Sequence, residues 1–164
     1  MVIVLLGILA AVGSNMLSDG FTSTAMVNSG NAVEGEARYA MDRLAREMRQ
    51  VQYVTASKEY NITTPTANPA TGLVFVNTDG TTVTISSSTT GGVTSVNLGY
   101  PTVQTLVSQV SAFSLTFKDA SGTTIATLAD IRSKVAFIDV VLNVQDGKSG
   151  QVINQSMRVA LRSQ

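Results

Sequence analysis

The stretch EGEARYAMDRLAREMRQVQYV (residues 34–54) decides the fold. Ala37, Met41, Leu44, Met48 and Val51 recur at i, i+4, i+7, i+11 and i+14, a single stripe at helical period. The other faces carry Arg38, Asp42, Arg43, Arg46, Glu47 and Arg49. Glu34 and Glu36 come early and the arginines late, the order a helix dipole favours. Asp42 and Arg46 are spaced to pair along the helix. The stretch reads as an amphipathic helix of about residues 32–54. Its stripe, Ala37, Met41, Leu44, Met48 and Val51, is expected to pack on a sheet. The arginine face, Arg38, Arg43, Arg46 and Arg49, is a candidate surface for an acidic partner, with a plain solvated face as the alternative.

Upstream, GSNMLSDGFTSTAMVNSGNAVEG (residues 13–35) is a poor helix former, with Gly13, Gly20, Gly30 and Gly35 among Ser, Thr and Asn. Each Gly costs about 1 kcal/mol relative to Ala inside a helix. Met16, Leu17, Phe21, Ala25 and Met26 keep a rough apolar periodicity. The segment reads as a weak, bendable helix joining two stronger ones, with a loop at NSGN (residues 28–31) as the alternative. Before it stands MVIVLLGILAAV (residues 1–12), free of charge. Crossing a bilayer takes about 20 apolar residues, so this run alone is too short. A secretory signal needs a basic segment before its apolar region, and none precedes Val2. Met1, Val2, Ile3, Val4, Leu5, Leu6, Gly7, Ile8, Leu9, Ala10, Ala11 and Val12 therefore read as the end of something longer, a candidate membrane or filament-core helix. A core helix or a clipped signal is the alternative. The chain divides into this helical part, residues 1–27, and a globular part, residues 28–164.

Downstream the pattern changes to strands. NITTPTANPATG (residues 61–72) holds two of the three prolines and reads as loop. GLVFVNTDGTTVTISSS (residues 72–88) is two alternating runs around Asp79-Gly80, a hairpin signature. SSTTGG (residues 87–92) reads as a flexible connection, VTSVNLGY (residues 93–100) as a weaker strand, and VQTLVSQV (residues 103–110) as a short helix or turn. From residue 111, Phe113, Leu115 and Phe117 alternate with Ser114, Thr116 and Lys118, and the chain turns at Ser121-Gly122. The clearest antiparallel pair spans residues 135–163. Ile138, Val140, Leu142 and Val144 line one face of its first strand, and Met157, Val159 and Leu161 one face of its second. One apolar face and one wet face mark an antiparallel sheet covered on one side. The expected fold is α+β: a long N-terminal helix packed across an antiparallel sheet of about residues 72–163.

Composition limits the chemistry. The 164 residues suffice for a core without disulfides. Eleven basic and eleven acidic residues cancel, which speaks against a duplex nucleic acid partner. Cys and His are both absent, so neither a Ser-His-Asp nor a Cys-His arrangement can be built from this chain alone. No enzyme is expected, and no cofactor.

The opening run resembles the stretch that follows the processing motif in type IV pilins and pseudopilins. Members carry a basic leader, a cut after Gly, then Phe-Thr-Leu-Ile-Glu-Leu and an apolar run ending in Gly-Ile-Leu-Ala. Gly7, Ile8, Leu9 and Ala10 stand in that place here. On this alignment about seven mature residues lie upstream of Met1 and bring the run close to a membrane-spanning length. ARYAMDRLAREMRQV (residues 37–51) is similar to the helix end of minor pilins and minor pseudopilins of the PilW and GspJ kind. It shares their Leu-x-Arg-Glu-Met-Arg pattern at Leu44, Arg46, Glu47, Met48 and Arg49. MSHA-type (MshO-like) minor pilins are the nearest kind.

The resemblance implies a pilin-like fold. It implies a subunit held in the bacterial inner membrane with a periplasmic domain, processed by prepilin peptidase and methylated at its new N-terminus. Such a subunit is drawn with other pilin or pseudopilin subunits into an extracellular or periplasmic filament, or its priming tip complex. Gly7, Ala10, Ala11 and Gly13 would permit close helix approach. A type II secretion minor pseudopilin is the alternative within the family, and an exported adhesin-like binding module the alternative outside it. The family glutamate after the cut has no counterpart in this sequence, and the disulfide loop of many major pilins cannot form without Cys, which favours a minor component. Calcium enters only through the resemblance, near Asp146-Gly147. The D-x-D-x-D-G pattern is absent, and Asp146-Gly147 and Asp79-Gly80 read more simply as hairpin turns.

Overall fold

The computed structural model describes residues 2–65 and 68–162, with the backbone alone for residues 2–12. One helix, α1 (Val2–Met48), precedes three antiparallel sheets, one of two short strands and two larger ones. The fold class is α+β, as the change of pattern along the sequence implies. At about 1.5 Å per residue, the 47 residues of α1 extend roughly 70 Å. The weak segment is helical throughout, and the loop considered at residues 28–31 does not form. Hydroxyls in this segment fold back on the helix: Thr22 Oγ1 donates to the Ser18 carbonyl and Thr24 Oγ1 to that of Gly20, both at 2.9 Å.

The helix ends at Met48, six residues before the expected Val54. Gln50 N donates to the Glu47 carbonyl (3.0 Å) and Val51 N to that of Met48 (3.3 Å), the tightened turn of a helix end. Val51 then bridges Asn77, and β-prone Tyr53 and Val54 form β1 (Tyr53–Val54). This two-residue strand pairs with β2 (Glu59–Tyr60), and the Tyr53 and Tyr60 rings meet edge-on at 5.2 Å.

The five-stranded sheet has the order β3-β4-β5-β6-β7: β3 (Ile62–Thr64), β4 (Gly72–Val76), β5 (Thr82–Thr90), β6 (Val93–Tyr100) and β7 (Thr102–Val107). The hairpin at Asp79-Gly80 forms as the sequence indicates. Three readings are corrected. The stretch expected as loop at residues 61–72 supplies β3, with Ile62 and Thr64 paired to Phe75 and Val74 of β4, so the sheet begins ten residues earlier than expected. SSTTGG is not a loose connection: β5 runs to Thr90, and Gly91 and Gly92, at φ of 60° and 81°, close a two-residue turn onto Val93. Positive φ at both central residues matches the twist of a tight hairpin, and glycine adopts it freely. VQTLVSQV is not helical: β-branched Val103, Thr105 and Val107 lie in β7, paired with β6.

The other sheet has the order β10-β9-β8: β8 (Val110–Lys118), β9 (Phe137–Gln145) and β10 (Val152–Ala160). The single meandering sheet expected is therefore two sheets, divided between β7 and β8. A second helix, α2 (Leu128–Lys134), escaped the sequence reading. Thr127 caps it, taking the Asp130 N–H and donating its hydroxyl to the Asp130 carboxylate.

Helix α1 packs against β7, β9 and β10. Leu44 and Met48 are fully buried, in one core with Phe75, Leu115, Phe117 and Leu142. Each such side chain contributes about 1.5–3 kcal/mol by leaving water.

Candidate functional site

Among the residues of α1 whose side chains are described, only the C-terminal part is seated. Ala37, Met41, Leu44 and Met48 are buried, as their stripe implies, and Val51 is buried just beyond the helix. Ala40 and Ala45 are buried beside them. Their small side chains let the sheets approach the helix closely, and the five-residue stripe missed them.

The arginine face does not form one surface. Arg43 Nη2 lies 2.8 Å from Glu47 Oε1, and Glu47 is 4% exposed, so this arginine neutralises a buried carboxylate. Arg38 pairs with Glu34 along the exposed helix surface. The pair expected between Asp42 and Arg46 does not form; Arg46 and Arg49 are exposed. Arg49 borders an open cleft with Gln50, Gln52, Tyr53, Thr78 and Arg162.

Helix and sheets part company at Ser29. Its hydroxyl donates to Asp146 Oδ1 at 2.8 Å. Asp146 also accepts from the Lys148 and Ser149 amides, at 3.1 and 3.2 Å, and from the Ser149 hydroxyl. These bonds, the Ser149 hydroxyl first, hold its carboxyl down at about 2. Asp79 takes the Tyr100 hydroxyl (2.6 Å) and the Thr81 amide (2.9 Å). Asp119 takes the Ser121 hydroxyl at 2.6 Å and the Ser121 and Thr123 amides, both at 2.9 Å, and both carboxyls lie below their ordinary range for these reasons. The carboxylates near the turns thus close those turns. Among the described residues no group of three or more His, Cys, Asp or Glu is placed to hold a metal ion.

From Ser14 to Asn28 every residue of α1 is exposed. Met16, Leu17, Phe21 and Val27 are 62–74% exposed. Leu17, Phe21 and Ala25 follow one line at i, i+4 and i+8, while Met16 and Val27 lie on another. The candidate membrane or filament-core residues Met1–Val12 lie outside those whose side chains are described. Among the described residues no helix is long and apolar enough to cross a membrane.

A second cluster was missed by the sequence reading. Asp139 lies on one face of β9 with Phe137 and Asn143, and it is ion-paired. Arg158 Nε and Nη2 reach its two oxygens at 2.6 and 2.9 Å, and Lys118 Nζ reaches Oδ2 at 3.0 Å. The Arg158 bonds above all hold the Asp139 carboxyl down at about 2. Arg158 also lies over the Phe137 ring, 5.5 Å from its centre. The signal was available in the hairpin register, which sets Asp139 directly opposite Arg158.

No protein-family model matches the chain, and no curated protein matches its sequence.

Proposed function

We propose that the chain is a minor pilin or pseudopilin subunit with a pilin-like fold, assembling through its N-terminal helix into a type IV pilus-like filament or its priming tip complex. The observation that carries this reading is α1 itself. Residues 37–48 are anchored on the sheets, while Ser14–Asn28 project into solvent with Leu17, Phe21 and Val27 uncovered. Such a helix gains by moving among other helices, in lipid or in a filament. Both surroundings are apolar, so packing and a few polar contacts decide between them. The Gly7-Ile8-Leu9-Ala10 resemblance and the order of one long helix followed by antiparallel hairpins support the same reading. The role is assembly, not catalysis, with other pilin or pseudopilin subunits as partners and the inner membrane as the site before assembly.

The test is the N-terminal peptide of the native protein, read by mass spectrometry after fractionation of its host. An N-methylated residue upstream of Met1, in protein that sediments with membranes or sheared filaments, is the expected result. A native chain beginning at Met1, or cut after Ala10 or Ala11, and found only in soluble fractions overturns the proposal.

A further inference from the structure

Strands β3, β7, β8 and β10 stand at the edges of the two larger sheets, and three of them are guarded. β3 has three residues, shifts register against β4 and is followed by Pro65. β7 is short, and its pairing with β6 slips at Val96/Asn97. β8 is irregular between Val110 and Ala112, and its outer side is occupied: Leu115 exchanges two backbone bonds with Ala70, at 2.8 and 2.7 Å, and the Phe117 carbonyl accepts from Ile125 N at 2.9 Å. Short length, bulges, proline and cover are the devices that keep sheet edges from pairing with other chains.

β10 has none of these. It runs nine residues, VINQSMRVA, in unbroken register with β9 and without proline. Its only charge, Arg158, is turned onto Asp139. Asp146 N donates to the Gln151 carbonyl at one end of the hairpin and Leu161 N to that of Ala136 at the other. Bonded pairs alternate along an antiparallel ladder. Val152, Asn154, Ser156, Arg158 and Ala160 therefore turn their amides and carbonyls outward. All five are exposed, and their backbone groups bond no other described residue.

Charge on this face constrains what a further strand could carry. Lys118, Asp139 and Arg158, from three adjacent strands, form a row of alternating sign in which one carboxylate serves two cations. A carboxylate beyond Arg158 continues the alternation. On the helix side, Ile153 and Met157 are only partly buried and offer apolar contact.

We propose that the free edge of β10 docks an extended segment of another polypeptide as a fourth, antiparallel strand. The segment carries a carboxylate opposite Arg158 and apolar side chains beside Ile153 and Met157. Main-chain bonds supply affinity and the alternate side chains supply selectivity. A second β10 does not supply this charge: VINQSMRVA holds no acidic residue, so β10 paired with itself sets no carboxylate opposite Arg158 in any register. The proposal rests on the sheet edge and stands apart from the filament reading.

The test titrates the intact protein with a fluorescein-labelled peptide, TVTVEVTVT, followed by anisotropy. A peptide with Lys for the Glu is expected to bind at least about tenfold more weakly. A peptide N-methylated at the two threonines nearest its glutamate is expected not to bind. Arg158→Glu is expected to reverse the Glu/Lys preference. Ser156→Pro, which removes one outward amide, is expected to abolish binding. Because the peptide controls use the unaltered protein, the test survives a variant that fails to fold. Absence of binding by the Glu peptide, equal binding of the Glu and Lys peptides, or binding that survives N-methylation overturns the proposal.

Discussion

Replacing Asp139 by Asn removes the anion shared by Lys118 and Arg158, and the consequence is a stability that depends on pH in a stated direction. The carboxyl sits at about 2 in the folded protein against an ordinary 3.8, held there first by the Arg158 bonds and then by Lys118. A depressed carboxyl contributes stability that is fully present above the unfolded value and is lost as pH falls through 3.8 toward 2. At about 1.4 kcal/mol per pH unit, that gap sets a ceiling of roughly 2.5 kcal/mol. The Arg158 side chain is 54% exposed and that of Asp139 24%, so water screens the pair. The expected contribution is about 1–1.5 kcal/mol. Urea unfolding followed by circular dichroism at pH 7, 4, 3 and 2 measures it in wild type and Asp139→Asn. The variant is less stable by that amount at pH 7, and the gap narrows between pH 4 and 2 as wild type protonates. Asp146, held low by its own hydrogen bonds, gives both proteins the same acid sensitivity and cancels in the difference. A gap that is absent at pH 7, or unchanged down to pH 2, refutes the reasoning.

Leu44→Ala opens a cavity where α1 meets the sheets and is expected to cost about 2–5 kcal/mol in urea unfolding. Thr127→Ala removes the α2 cap and is expected to cost about 1 kcal/mol in the same assay, with faster amide exchange at Ile131. Phe21→Ser is expected to change stability by less than about 0.5 kcal/mol, since Phe21 is 74% exposed. Hydrogen exchange of the isolated protein is expected to find the amides of residues 14–28 replaced far sooner than those of residues 37–48.

The seated helix and the β9–β10 hairpin were legible because their apolar periods are unbroken: Ala37 to Met48 at helical spacing, Ile138 to Val144 at alternate positions, every one of them buried. Apolar period carries no signal where polar residues decide the structure. The hydroxyl-rich run at Ser86–Thr90 has little apolar pattern, yet its backbone completes a ladder to β6. Val103 and Thr105 face solvent, so β7 shows no alternation to read. Glu47 looked like a surface charge because a helical projection does not reveal that Arg43 folds over it. The Lys118–Asp139–Arg158 row needed the register of three strands, two of them separated by α2, and local spacing cannot supply that.

Helix α1 joins two kinds of sequence on one backbone. Between Ala37 and Met48 small and large apolar residues face the sheets, and tertiary contact makes the helix stable whatever its propensity. Between Ser14 and Asn28 no such contact exists, Gly20 lowers helicity, and the threonine hydroxyls that bond back to the turn below offset only part of that loss. A segment of this kind holds its helix most firmly when other helices surround it. The Ser29–Asp146 bond lies where the two regimes meet, with Asp146 tied to its own loop through Lys148 and Ser149. That bond is the last described side-chain tie between the helix and the sheets before the exposed segment that carries Leu17 and Phe21. The open edge of β10 belongs to the same sheet as the Asp146 loop. The exposed helix segment and the open strand edge are therefore two different surfaces, and the sheet of β9 and β10 on which α1 packs carries the second of them.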